Sequence, residues 1–195
     1  MFSLNVPLPP AVTDLAGDLH PKLEGFDRVR ERHTLVCKRF GVDDVSDRVA
    51  DHVADGVGGP SADPPRPPKP DALAALREAL RPLLAGTDPF EVAVTGLDAF
   101  ESPASGSGPV VYLAVESDVL VRLHRRLCAA YGAIEGIEGD GYVPHVTLAR
   151  GGDPDASGEA IDRLVEREFE PIRWRVHALD LYDPEFREVV ETVEL

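Results

Sequence analysis

Imidazole is the side chain that titrates nearest neutrality, so the six histidines of this 195-residue chain are where its chemistry is sought first. Two of them stand in similar settings. His145 opens the run His145-Val146-Thr147-Leu148-Ala149-Arg150 after Pro144, and His33 opens His33-Thr34-Leu35-Val36-Cys37-Lys38. Each lies in an apolar stretch of strand character, and each is followed five residues on by a cation. Residues i and i+2 of a strand face the same way, so His145 and Thr147 present an imidazole and a hydroxyl side by side. With Arg150 close, that is a unit suited to a phosphate: a proton carrier, a neutral donor and an offsetting charge. Two such units facing one another would set a general base and a general acid on opposite sides of one phosphorus.

The elements that must position them follow from periodicity and turn signals. Phe2 to Val6 reads as a first strand closed by Pro7 and the Pro9-Pro10 pair, and Val12 to Leu23 carries apolar residues at helical spacing. His33 to Phe40 is a strand stopped by Gly41, and Val45 to Val53 a short helix. Residues 56–70 form a Gly/Pro-rich loop, and Asp71 caps a helix over Ala72 to Leu84. Phe90 to Leu97 and Val110 to Val115 are strands, and Ser117 to Tyr131 is a helix capped by Ser117 or Asp118. Tyr142 to Arg150 is a strand, Ala160 to Phe169 a helix, and Ile172 to Tyr182 with Glu188 to Val193 supply the last strands. About seven strands and four helices in mixed order favour α+β over a doubly wound parallel sheet.

Length predicts a single domain over 1–195. No apolar run approaches the ~18–20 residues that span a bilayer, and the start lacks a basic segment and an apolar stretch of signal type, so the expectation is a cytoplasmic protein. Cys37 and Cys128 are too few and too distant for a disulfide framework or metal knuckle, and both read as buried thiols. The formal charge of -15 argues at first against nucleic acid. Yet the chain has three lysines (Lys22, Lys38, Lys69) against seventeen arginines, with Asp spread through nearly every segment. That pattern reads as surface adaptation to high salt, of the kind halophilic archaea show, and says little about the partner. His20, His52 and His124 read as solvated and His177 as structural. No histidine cluster has metal-ligand spacing, so neither metal nor cofactor is expected. No P-loop or dinucleotide fingerprint occurs, which leaves ATP-driven ligation without a nucleotide site.

With its ordered context, the chain resembles the two-histidine phosphoesterases, specifically the 2'-5' RNA ligase-like RNA 2',3'-cyclic phosphodiesterases. Pro144 to Arg150 matches that family's second motif at every diagnostic position, and Pro7-Leu8-Pro9-Pro10 and Val94 to Phe100 resemble its neighbouring segments. The resemblance implies two pseudo-symmetric lobes, each an antiparallel-rich sheet with flanking helices, around a central cleft. It implies hydrolysis of RNA 2',3'-cyclic phosphate ends, or of small cyclic nucleotides, by a monomer. His33 is then the proton donor and His145 the acceptor; Thr147 and Arg150 hold phosphate oxygens, with Thr34 and Lys38 as first-lobe counterparts. The first motif departs from the family pattern: Leu35 stands where a hydroxyl residue is expected, Thr34 comes one residue early, and Gly41 one late. A β-bulge near Thr34 would reconcile these offsets. Tyr142, close to His145, is a candidate to stack on a base. The alternatives are a degenerate member that binds RNA ends without turnover, or a 2'-5' RNA ligase or phosphoesterase acting on small cyclic phosphates.

Overall fold

The computed structural model describes residues 2–41, 69–152 and 154–195. The expected helix over Val45 to Val53 and nearly all of the 56–70 loop lie outside those residues. The described strands are β1 (Phe2–Val6), β2 (Arg28–Val29), β3 (Leu35–Phe40), β4 (Phe90–Phe100), β5 (Val110–Glu116), β6 (His145–Arg150), β7 (Ile172–Val176), β8 (Ala178–Asp183) and β9 (Glu188–Glu194). The described α-helices are α1 (Pro10–Leu19), α2 (Lys69–Leu84), α3 (Asp118–Tyr131) and α4 (Pro154–Val165).

All pairs among the described strands are antiparallel, in one sheet of order β7-β4-β5-β6-β3-β1-β8-β9, with β2 added to β6. The fold is α+β, and the order divides into two quartets, β6-β5-β4-β7 and β3-β1-β8-β9. They meet at one pairing, Leu35 with Val146. Alternation decides which face is core. Phe2, Leu4 and Val6 of β1 are 0–2 % exposed and pack with Val12, Ala16 and Leu19 of α1. The intervening Ser3 and Asn5 face the opposite way and line a cleft.

Beyond Leu35 the two inner strands part, and other groups satisfy their backbones. On β3, the Tyr142 hydroxyl donates to Val36 O at 2.8 Å, and the His124 ring bonds Cys37 O at 2.6 Å. The Arg39 N–H donates to Glu138 Oε1 at 2.9 Å. On β6, β2 pairs with Ala149 and Arg150, and Arg30 N–H donates to Leu148 O at 2.7 Å. Buried backbone polar groups need partners, so these substitutes hold the split between the halves open.

Several expectations change in detail. The α2 helix starts at Lys69, two residues before Asp71, so Asp71 is not its cap. The α3 cap is Ser117, whose side chain accepts from Leu120 N–H. The stretch Ile172 to Tyr182 is two strands broken at His177, because β7 pairs with β4 whereas β8 pairs with β1 at the other end of the sheet. Residues 142–144 precede β6 without joining it, and α4 lies earlier in the chain than the helix expected over Ala160 to Phe169. The two-residue β2 is too short to leave a periodic signal. His124 is fully buried rather than solvated: it occupies the i+4 position of the apolar stripe Leu120, Leu123, Leu127. Cys37 is buried, and Cys128 only partly so.

Candidate active site

Both inner strands carry a β-bulge, and the bulges determine which cations reach the cleft. In β6, Tyr112 pairs with Thr147 and Val111 with Ala149, leaving Leu148 as an extra residue. The extra residue restores Arg150 to the face of His145 and Thr147, and all three line the cleft. In β3, Leu4 pairs with Lys38 and Asn5 with Val36, so Cys37 is the extra residue. Arg39 thereby joins Thr34 and Val36 on the cleft face, while Lys38 turns to the core with Leu4 and Phe40.

The halves therefore correspond residue by residue about the Leu35–Val146 pair. Thr34 and Val36 flank Leu35 as His145 and Thr147 flank Val146, and Arg39 matches Arg150. A bulge is present in the first strand, but at Cys37 rather than near Thr34. Lys38 matches the buried Ala149 and is 1 % exposed. It is not at the cleft: its ammonium donates to Glu138 Oε2 at 2.7 Å, and that carboxylate also accepts from Ile134 N–H at 3.0 Å. Burial pushes the Glu138 carboxyl up, but the Lys38 bond, the two backbone donors and the Lys38 charge outweigh it, leaving its pKa below the usual carboxylate value.

His145 is held from three sides. Its Nδ1–H donates to Val143 O at 2.7 Å, leaving Nε2 as the atom with a free lone pair. Phe100 meets the imidazole edge-on at 5.2 Å between centroids, and Tyr112 lies at 5.2 Å. Those two rings stack on each other at 4.3 Å, and the Tyr112 hydroxyl donates to Asp98 Oδ2 at 3.1 Å. Burial, only partly offset by the Val143 carbonyl, lowers the His145 pKa, and the charges of Arg39 and Arg150 lower it further. At neutral pH the ring is neutral, with its Nε2 lone pair unused.

Arg150 is flanked by Arg28 of β2, and its Nε is buried without a hydrogen-bond partner. Burial, then Arg30 and Arg28, depress its pKa. A Cβ on Gly106 (φ +76°) would fall 2.5 Å from Arg150 Nη1, so the loop above the guanidinium is fitted to it. The cleft, about 960 Å³, is lined by Arg30, Arg32, Arg39, Arg150 and Arg187 against Glu31 as the one lining acid among the described residues. A chain of charge -15 thus gathers cations around one histidine. No group of three metal-ligating side chains occurs among the described residues.

His33 is placed differently. It precedes β3, is half-buried, and lines an adjoining cavity that shares Asn5, Arg30, Glu31, Arg32, Thr34 and Tyr182 with the cleft. Burial, then His20 and Arg30, lower its pKa. Thr34 lines both spaces. Tyr142 borders the cleft, with one ring face stacked on His124 at 3.7 Å.

A sequence model of the 2'-5' RNA ligase superfamily matches residues 57–185, most of the chain. The chain belongs to the 2'-5' RNA ligase superfamily. The matched span contains the His145 motif and leaves His33 and Thr34 outside it. Membership gives the protein a ligase- or phosphoesterase-type function. Among solved structures, TT0787 of Thermus thermophilus is similar over 100% of this chain and 97% of its own, with TM-score 0.58 and 20% identity. LigT of E. coli, solved in complex with 3'-AMP, is similar over 100% of this chain and 94% of its own, with TM-score 0.53 and 14% identity. At such identities these likenesses establish a shared fold. No curated protein matches the sequence. No described helix is long and apolar enough to cross a membrane.

Arg39 and Arg32 are legible in the sequence as cations beside the first motif, but Arg30 and Phe100 are not legible as cleft residues. Aligning the two strands on Arg39 and Arg150, instead of on their histidines, would have made Arg39 rather than Lys38 the counterpart of Arg150.

Proposed function

We propose that this superfamily member hydrolyses RNA 2',3'-cyclic phosphate ends to 2'-phosphomonoesters. The observation that carries this reading is the arginine-lined cleft around a single imidazole with its Nε2 open. A water on the phosphorus gives its proton to His145 Nε2 as its oxygen bonds to phosphorus. The P–O3' bond breaks on the opposite side, and O3' takes a proton from the imidazolium of His33, which lines the adjoining cavity. Exchange with solvent returns both rings to their starting forms. Arg150, Arg39, Thr147 and Thr34 hold the non-bridging oxygens, Arg39 taking the part first read for Lys38. Charge-assisted bonds from the planar guanidinium suit phosphate oxygens, and acid and base catalysis each contribute ~10²–10⁴ in rate.

The test is an oligonucleotide ending in a 2',3'-cyclic phosphate, given to wild type and to His33→Ala and His145→Ala. The reading requires turnover by wild type and loss of at least ~10²-fold in each variant. An intact cyclic phosphate, or variants with wild-type rates, contradicts it. One observation favours a second reading, an RNA-end binder without turnover: Thr34, and not a histidine, is the counterpart of His145. Tight binding of the cyclic end by a wild type that never opens it would establish that reading instead.

A further inference from the structure

The cavity that His33 lines is about 690 Å³, within the range of small-ligand sites. Its walls include Val6, Leu8, Ala16 and Val189, and polar or charged side chains make up the larger part of the remainder. One of these is Asn5, at the junction with the cleft. Asn5 is 6 % exposed, and its Oδ1 is buried without a hydrogen-bond partner. An unmet buried acceptor costs ~1–3 kcal/mol, so a ligand that supplies a donor there recovers that loss. Asp180, paired with Asn5 across β1 and β8, also lines the cavity and accepts from the Thr192 hydroxyl at 2.7 Å. The space thus combines an apolar wall, acceptor groups within it, and Arg30 and Arg32, which it shares with the phosphate cleft.

We infer that this cavity is the nucleoside subsite: it receives the base of the terminal nucleotide, with Asn5 accepting from an amino group on that base. The inference rests on the proposed reading, because a proton passed from His33 to O3' requires the ribose on the His33 side of the phosphate. The apolar wall takes the faces of the base. The side-chain amide of Asn5 has the pairing geometry that Asn uses toward adenine, accepting from the exocyclic amine and donating to a ring nitrogen.

Gly17 provides the test. It lies in α1, lines this cavity but not the cleft, and a Cβ there would meet nothing within 4 Å. Gly17→Phe therefore adds a ring at the cavity wall with no clash at its Cβ, and any residue but Pro favours the helix over Gly. The readout is the ratio of kcat/KM for adenosine 2',3'-cyclic phosphate to that for methyl riboside 2',3'-cyclic phosphate, which has no base. Wild type is expected to prefer the adenosine substrate by ~10-fold or more, a difference a buried hydrogen bond and base contact supply. Gly17→Phe is expected to bring the ratio near 1 while leaving the baseless rate unchanged. Asn5→Leu is expected to erase discrimination between adenosine and purine riboside cyclic phosphates, which differ by the amine. A wild-type ratio near 1, or a ratio that survives Gly17→Phe, overturns the subsite while leaving the hydrolytic function standing. If neither substrate is turned over, the hydrolytic reading fails, and calorimetry with adenosine 2'-monophosphate still decides the subsite. Binding weakened ~10-fold by Gly17→Phe supports it, and equal or absent binding overturns it.

Discussion

The Lys38–Glu138 pair offers the sharpest perturbation, because it lies beneath the bulge that turns Arg39 toward the cleft. Both side chains are 1 % exposed, so neither charge is screened by water or salt. Replacing Glu138 by Ala leaves the Lys38 ammonium buried without its partner ion, an effect of ~3–5 kcal/mol. It also removes the acceptor for Arg39 N–H and Ile134 N–H, so the larger end of that range is expected. Against a total of ~5–15 kcal/mol for a domain of ordinary stability, this is a large fraction. Combining Lys38→Met with Glu138→Gln removes both charges and keeps an amide oxygen for one of the two backbone donors, so the double variant should be at least ~1–2 kcal/mol more stable than Glu138→Ala. The assay is denaturant unfolding, read as a midpoint shift at constant slope, in molar KCl and again at low salt. Its pH arm has a definite sign. The Glu138 pKa lies below its unfolded value of ~4.3, so its stabilisation is complete above that value and is lost as pH falls through the folded pKa. A Glu138→Ala cost under ~1.5 kcal/mol, or a double variant no better than the single, would refute the reasoning.

Four further outcomes follow. Arg39→Ala is expected to raise KM for a cyclic-phosphate substrate ~10-fold or more, whereas Lys38→Met lowers the unfolding midpoint and leaves KM near wild type; steady-state kinetics beside denaturation separates them. The pH profile of kcat/KM is expected to be bell-shaped and to peak below pH ~6.5. His145 must be neutral and His33 protonated, and the pKa of each is lowered, His145 by burial and nearby arginines and His33 by burial, His20 and Arg30. An optimum at alkaline pH would contradict the assignment. Gly106→Ala forces the Arg150 guanidinium aside and strains a positive-φ position, so it should raise KM several-fold with a stability loss of ~1 kcal/mol. Removing KCl should lower both activity and the unfolding midpoint, since at 1 M the screening length is only ~3 Å and the surface carries a net -15; equal stability at low salt would count against salt adaptation.

The α+β class and most strands could be read from periodicity because each strand's alternation is a local property. The breaks were not local. His177 ends β7 because the strands either side of it pair at opposite ends of the sheet. The same holds at the site. His145, Thr147 and Arg150 were legible as a unit, since i and i+2 alternation carries the first two and a family motif the third. The bulge at Cys37 is written in the pairing of β1 with β3, and no count along one strand fixes it. Counting from His33 therefore chose Lys38, when the fold buries that lysine with a glutamate 100 residues away and sends Arg39 to the cleft. His124 had a visible signal in its place on the Leu120 stripe, but a titratable side chain invites reading as solvated.

The most direct test of the central claim is the product of one turnover. An RNA oligonucleotide ending in a 2',3'-cyclic phosphate is incubated with wild type and with His145→Ala, and the phosphorus is followed by ³¹P NMR. Wild type is expected to convert the cyclic resonance to that of a 2'-phosphomonoester, and His145→Ala to leave it unchanged. A 3'-phosphomonoester, an unchanged cyclic end, or a His145→Ala variant that turns over normally would contradict it.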